Sequence, residues 1–217
     1  MDRSCAVDRV LALLETIESD PMPVPIREVW VLGDLALGLD PVDRIDLYLT
    51  KDLLFASERT DPDQAEVFEE EYGIAGVGTI VSAEWAAEFP DHIRTNSNDH
   101  AAPERCLAAH LVSRSEPIHL EVCNAPFEQN VTQRLRGARA TENWENILDP
   151  RGVCLWQDGT RSETAPEKLR SGDYVFPTLP DALEMLGMES VEAETAAAAI
   201  TTLKQSREGR TIRGDVV

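Results

Sequence analysis

The sequence predicts an α/β (α+β) fold: a mixed sheet with flanking helices and a helical C-terminal part. Apolar runs of strand length recur near 28–32, 44–50, 117–123 and 152–156, bounded by glycine, proline or polar turns. Segments of helical spacing stand before and between them. Beyond Pro180 only helical patterning remains until an extended tail. These observations divide the chain into an α/β part, 1–160, and a helical part with its tail, 161–217.

Val7, Val10, Leu11, Leu14 and Ile17 share one side of a helix over 4–18, which the prolines at 21, 23 and 25 end. Glu28–Leu32 is a buried strand broken by Gly33, and Arg44–Thr50 is the next. A helix is expected over 61–72, with Pro62 in its first turn and Gly73 after it. A short strand over 76–82, a helical segment over 83–89 and a polar loop over 90–100 follow. Pro103 opens a helix to about Val112. In the strand 117–124, Ile118, Leu120 and Val122 face one way, and His119, Glu121 and Cys123 face the other. A helix from Phe127 to Arg136, ended by Gly137, precedes a strand at 152–156 that turns at Asp158-Gly159. The C-terminal part holds a short helix around 182–186 and a long alanine-rich one from Ser190 to about Arg207.

Forty acidic residues stand against twenty basic ones, giving a net charge of −20, and only Lys51, Lys168 and Lys204 are lysines. An acidic chain this poor in lysine suits a salt-rich cytoplasm, where ions screen the repulsion between carboxylates. The same charge speaks against DNA and against membrane surfaces as partners. No apolar run reaches the roughly 18 residues of a membrane span, and the N-terminus lacks the basic-then-apolar order of a secretory signal, so a cytoplasmic location is expected. Cys5, Cys106, Cys123 and Cys154 are scattered and form no CxxC pair. Cys106 and His110 share a helix face, but no second pair completes a zinc site, and core packing is the expected role.

The chemistry-bearing stretch is GDLALGLDPVDRIDLYLT, Gly33–Thr50. A strand, a Gly-Asp turn, a strand with a central acid and a later strand carrying Glu121 together resemble the nucleotidyltransferase superfamily. In that resemblance Gly33-Asp34 holds the place of a Gly-Ser turn, Arg44-Ile45-Asp46 that of an Asp-x-Asp pair, and Glu121 that of a third acid. It implies a nucleotidyltransferase-like fold and, for a working transferase, Mg²⁺ held by converging carboxylates. Arg44 departs from the pattern: a guanidinium beside Asp46 pairs with carboxylates and repels a divalent cation. Asp43 is offset by three residues and faces the other way unless the strand bulges. No cofactor is expected otherwise. Arg134, Arg136 and Arg139, soon joined by Arg151 and Arg161, form an island of positive charge in which Arg134 and Arg136 offer either an anion site or simple neutralisation of neighbouring acids.

Over nearly its full length the chain also resembles an uncharacterised family of haloarchaeal proteins. The segments REVWVLGDLALGLDPVDRIDLYLTKDLL, HLEVCNAPFEQNVTQRLRGARA and FPTLPDALEMLGM carry that likeness. It implies a haloadapted cytoplasmic protein and brings no reaction.

Three functional expectations follow. The first is a degenerate nucleotidyltransferase-like domain that binds a nucleotide or other phosphate ligand without full catalysis, through Gly33, Asp34, Arg44, Asp46, Glu121, Arg134 and Arg136. Asp46 and Glu121 then converge on a common point. The second is a non-enzymatic adaptor that contacts a protein partner through its C-terminal helices, with an exposed apolar patch beside 183–217. The third is an active Mg²⁺-dependent transferase, which requires a bulge bringing Asp43 beside Asp46.

Overall fold

The structure, a computed structural model, describes residues 1–19, 22, 24–52, 70, 76–77, 80–82, 95–113, 115–206 and 211–214. The expected helices over 61–72 and 83–89 lie outside the described residues, apart from Glu70.

Helix α1, Arg3–Ser19, buries Ala6, Val7, Val10, Leu13, Leu14 and Ile17 at the predicted spacing. Strand β1, Ile26–Leu32, runs into a short helical turn, α2, Gly33–Ala36, and the chain returns as β2, Ile45–Lys51. Between β2 and the next long helix lie β3 (Gly76–Val77), β4 (Ile80–Ser82) and β5 (His100–Ala101), which form a separate antiparallel sheet in that order. The expected single strand over 76–82 is thus two strands, and the expected loop over 90–100 ends in a third.

Helix α3, Pro103–Leu111, leads to β6, Ile118–Cys123, and to α4, Phe127–Thr141. A 3-10 turn, Trp144–Asn146, precedes the β7–β8 hairpin, Val153–Gln157 and Thr160–Arg161. Helices α5 (Ala165–Ser171), α6 (Leu179–Met185) and α7 (Ser190–Ser206) come next, and β9, Thr211–Gly214, follows.

The main sheet is mixed, in the order β8-β7-β1-β2-β6-β9. The three pairs among its first four strands are antiparallel, whereas β2–β6 and β6–β9 are parallel. The tail therefore adds to its own sheet as an edge strand.

Because side chains alternate across a strand, the sheet has two different faces. One face presents Val29, Val31, Leu47, Leu49, Leu120 and Val122 to α1, α3 and α5, and this layer is the main core. Each fully buried aliphatic side chain there stabilises the fold by about 1.5–3 kcal/mol. The other face carries Glu28, Trp30, Asp46, Tyr48, Thr50, His119 and Glu121 beneath α4 and α7. Its apolar share is a small cluster of Leu32, Tyr48, Cys123, Phe127, Val131 and Leu148.

Two helical expectations need correction. Helix α4 runs through Gly137 to Thr141 and ends on Glu142 in the left-handed region, φ 52°. Leu135 and Ala138, on either side of the glycine, are buried in one cluster with Leu183, Ala193 and Ala196 of the C-terminal helices and with Met188 between those helices. That burial outweighs the roughly 1 kcal/mol a helical glycine costs. Helix α5 falls in the part read as helical but has no segment of its own in the sequence reading, although Pro166 in its first turn and Gly172 after it, φ 74°, mark both ends. Among the described residues no helix is long and apolar enough to cross a membrane.

Candidate functional site

The polar face is organised by the turn between β1 and β2. Gly33 adopts φ 63°, and a Cβ there would lie 2.1 Å from Asp46 Oδ2, so only glycine lets the turn close over the carboxylate. Directly after it, α2 buries Asp34, and β2 presents Asp46 opposite Leu32 of β1 and His119 of β6.

Two cations meet these two acids. Arg44 Nε donates to Asp46 Oδ1 at 2.8 Å, with both side chains almost wholly buried. Lys204, near the end of α7, donates its Nζ to Asp34 Oδ1 and lies 3.9 Å from Asp46 Oδ2. The same arginine approaches the C-terminal turn of α7, its Nη1 3.5 Å from the Lys204 carbonyl oxygen. A guanidinium there favours the helix dipole as well as the acid. The backbone N–H of Asp43 donates to Asp34 Oδ2 at 3.3 Å, and its own side chain is exposed. Strand β2 pairs with β6 in unbroken register from Ile45 to Thr50, so no bulge carries Asp43 inward.

Glu121 sits one pleat further along β6, opposite Tyr48. It and Asp46 share a face, but each is matched to its own cations. Arg134 of α4 pairs with Glu121 Oε1, and Arg213 of β9 lies 3.7 Å from the same oxygen. His119 Nε2 is 3.8 Å from Glu121 Oε2, while its Nδ1 meets the Thr211 hydroxyl. Burial pushes the Glu121 carboxyl towards neutrality. The His119 contact and the two arginines outweigh it and hold the group below the usual glutamate value.

The alternation of charges encloses a cavity of about 80 Å³, lined by Arg44, Asp46, His119, Glu121, Lys204 and Arg213 among others. That is room for about two or three waters at liquid density, or one phosphoryl group, and far below the roughly 300 Å³ where nucleotide-sized sites begin. A divalent cation does not fit the donors present. Asp34 and Asp46 are already shared by Lys204 and Arg44, whose positive charge repels a metal ion. Among the described residues no group of three His, Cys, Asp or Glu is placed to hold a metal. Cys106, which shares a helix face with His110, is fully buried in the core, and burial pushes its thiol up to about 12.

The arginine island does not gather. Arg134 faces the sheet, whereas Arg136 stands exposed on α4. Arg139 pairs with Glu192 at 3.0 Å, Arg151 with Asp149 at 2.8 Å and Arg161 with Glu18 at 3.4 Å, each in a different place. Sequence reading missed Lys204, Thr211 and Arg213. The available signals were a lone lysine ending an alanine-rich helix in a lysine-poor chain, and the alternation of Thr211-Ile212-Arg213.

A family model matches residues 2–217, and the chain belongs to that family, a family of unknown function (DUF7095). No curated protein and no solved structure matches the chain.

Proposed function

We propose that this member of the DUF7095 family is a nucleotidyltransferase-like scaffold without transfer chemistry, which binds one phosphoryl-sized anion in the cavity between Arg44, Lys204 and Arg213. The observation that carries this reading is the position of Lys204. It pairs with Asp34 and lies 3.9 Å from Asp46, one of the acids that the resemblance would give to Mg²⁺, so a cation of the chain itself stands beside that carboxylate. The strand–turn–strand order with β6 parallel beside β2 suits the same ancestry. Arg44, Lys204 and Arg213 line the cavity beside Asp46, Glu121, Glu145 and Asp149, so an anion enters by competing with these carboxylates for the cations, and a volume of about 80 Å³ favours a single phosphate or the terminal phosphate of a larger ligand. Haloadapted cytoplasmic life fits the net charge of −20.

Calorimetry in molar KCl with inorganic phosphate and with ATP, each with and without Mg²⁺, tests this. Phosphate should bind without Mg²⁺, and Asp46→Asn should tighten it by removing a carboxylate that competes for Arg44 and Lys204. A metal clamp predicts the opposite sign, so weaker binding in Asp46→Asn together with Mg²⁺ dependence overturns the reading and restores catalysis.

A second reading is the adaptor. Met185, Leu186 and Val191 are exposed at the turn between α6 and α7, the first and last at 79% and 77%. An apolar knob on so acidic a chain suits a protein partner. Absence of heat with every phosphate ligand would favour it.

A further inference from the structure

A second, larger cavity lies on the same sheet face at the opposite end, where β1 begins and β2 and β7 finish. Its volume is about 730 Å³, within the range of small-molecule sites and roughly ninefold that of the charge-paired cavity. The resemblance drawn from the Gly33 turn says nothing about this end of the sheet.

Its floor is held rigid. The buried Glu28 carboxylate accepts from Trp30 Nε1 at 3.2 Å, Thr50 Oγ1 at 2.9 Å and the backbone N–H of Phe127 at 2.9 Å, so one side chain ties β1, β2 and the start of α4 together. Trp30 is stacked on Phe127 with ring centroids 4.5 Å apart, and it is only half-buried, its remaining surface lining the cavity. An indole stacked on Phe127 and tied by its N–H to Glu28 is a ready platform for a planar ring. The exposed amides of Gln129 and Gln157 stand on the walls as hydrogen-bonding groups that can both donate and accept.

Charge decides the ligand class. The lining holds four acids, Glu28, Asp52, Glu128 and Asp158, against two bases, Arg27 and Lys51. Both bases are committed: Arg27 lies 2.7 Å from Asp158 and 3.8 Å from Asp52, and Lys51 lies 3.7 Å from Glu104. Among the described lining residues the acids outnumber the bases two to one, and the net field repels a phosphate. We propose that this groove binds a planar, amino-bearing heteroaromatic compound of nucleoside size, neutral or cationic, with its ring on Trp30.

The probes are three compounds that share one ring and differ in charge: 1-methyladenosine, adenosine and adenosine 5′-monophosphate. Each is titrated into the full chain while tryptophan emission is followed, with Trp30→Phe isolating the Trp30 signal. Affinity should fall in that order, with the monophosphate weaker than adenosine by about tenfold or more, since like charges at contact range repel. Cys154→Phe, which fills the groove from a half-buried wall position, should abolish the signal while leaving the thermal midpoint near that of the parent. Failure of all three probes to perturb Trp30 overturns the proposal. So does a monophosphate as tight as adenosine at Trp30, or adenosine binding indifferent to Cys154→Phe. The phosphate site is read separately by calorimetry, so either proposal can fall without the other.

Discussion

At Glu121, burial works against the charge and three basic neighbours work for it. The carboxyl is 4% exposed and titrates below its ordinary value of 4.5. A group whose folded-state pKa is depressed contributes stability that is full above the unfolded value and is lost as pH falls through the folded one. The parent should therefore lose stability below about pH 4.5 more steeply than Glu121→Gln, whose acid limb lacks this group. At pH 7 the variant should be less stable by about 3–5 kcal/mol, because Arg134 and Arg213 lose a buried counter-charge. Urea titrations across pH measure both; parallel acid limbs in the two proteins would remove Glu121 from the account. The pairing of Arg44 with Asp46 was legible in the sequence, since residues two apart on a strand share a face. The partners of Asp34 and Glu121 were not legible. Lys204 is 170 residues from Asp34, and no local pattern reports which distant cation a buried acid will find.

At the scale of elements, α7 is joined to the sheet by two kinds of contact. Ala193, Ala196 and Ala197 pack it against α4 and α6, and Lys204 anchors its far end to α2 and β2. Lys204→Met keeps most of the side-chain volume and removes the anchor. The last turn of α7 and strand β9 should then exchange amide hydrogens faster than in the parent, while β1 and β2 keep their protection. Global stability should fall by only about 1 kcal/mol, because a third of the lysine side chain is exposed. Unchanged exchange in α7 would mean that the alanine contacts alone hold it. Strands β1, β2 and β6 were readable as short, largely apolar runs bounded by turn residues, buried along most or all of their length, and helices α1, α3 and α7 were readable from helical periodicity. Helix α4 outran its reading because tertiary burial overrode a glycine. Helix α5 escaped because only Ala165 and Leu169 are buried in it, too few to show a period. Strand β9 is short, and its pairing with β6 lies in the partner rather than in its own four residues.

Across the whole molecule the net charge of −20 sets the response to salt. The Debye length falls from about 30 Å in 0.01 M salt to about 3 Å in 1 M, so repulsion across the surface vanishes over that range while the buried pairs at the site are screened far less. The thermal midpoint should therefore rise from dilute to molar KCl. A midpoint that is flat or falling over that range would show that surface repulsion does not limit this fold. The parallel pairing of β9 with β6 has a kinetic meaning as well. His119 and Thr211 are 92 residues apart, and a contact of that separation forms only after a long loop has closed. Strand β9 and the end of α7 bring Arg213 and Lys204, two of the cations that neutralise Glu121, Asp34 and Asp46. Until they dock, the half-built sheet carries buried acids short of their counter-charges, and that shortage disfavours every partly folded state that lacks the C-terminal segment. Electrostatics thus adds to packing in the cooperativity between the two ends of the chain.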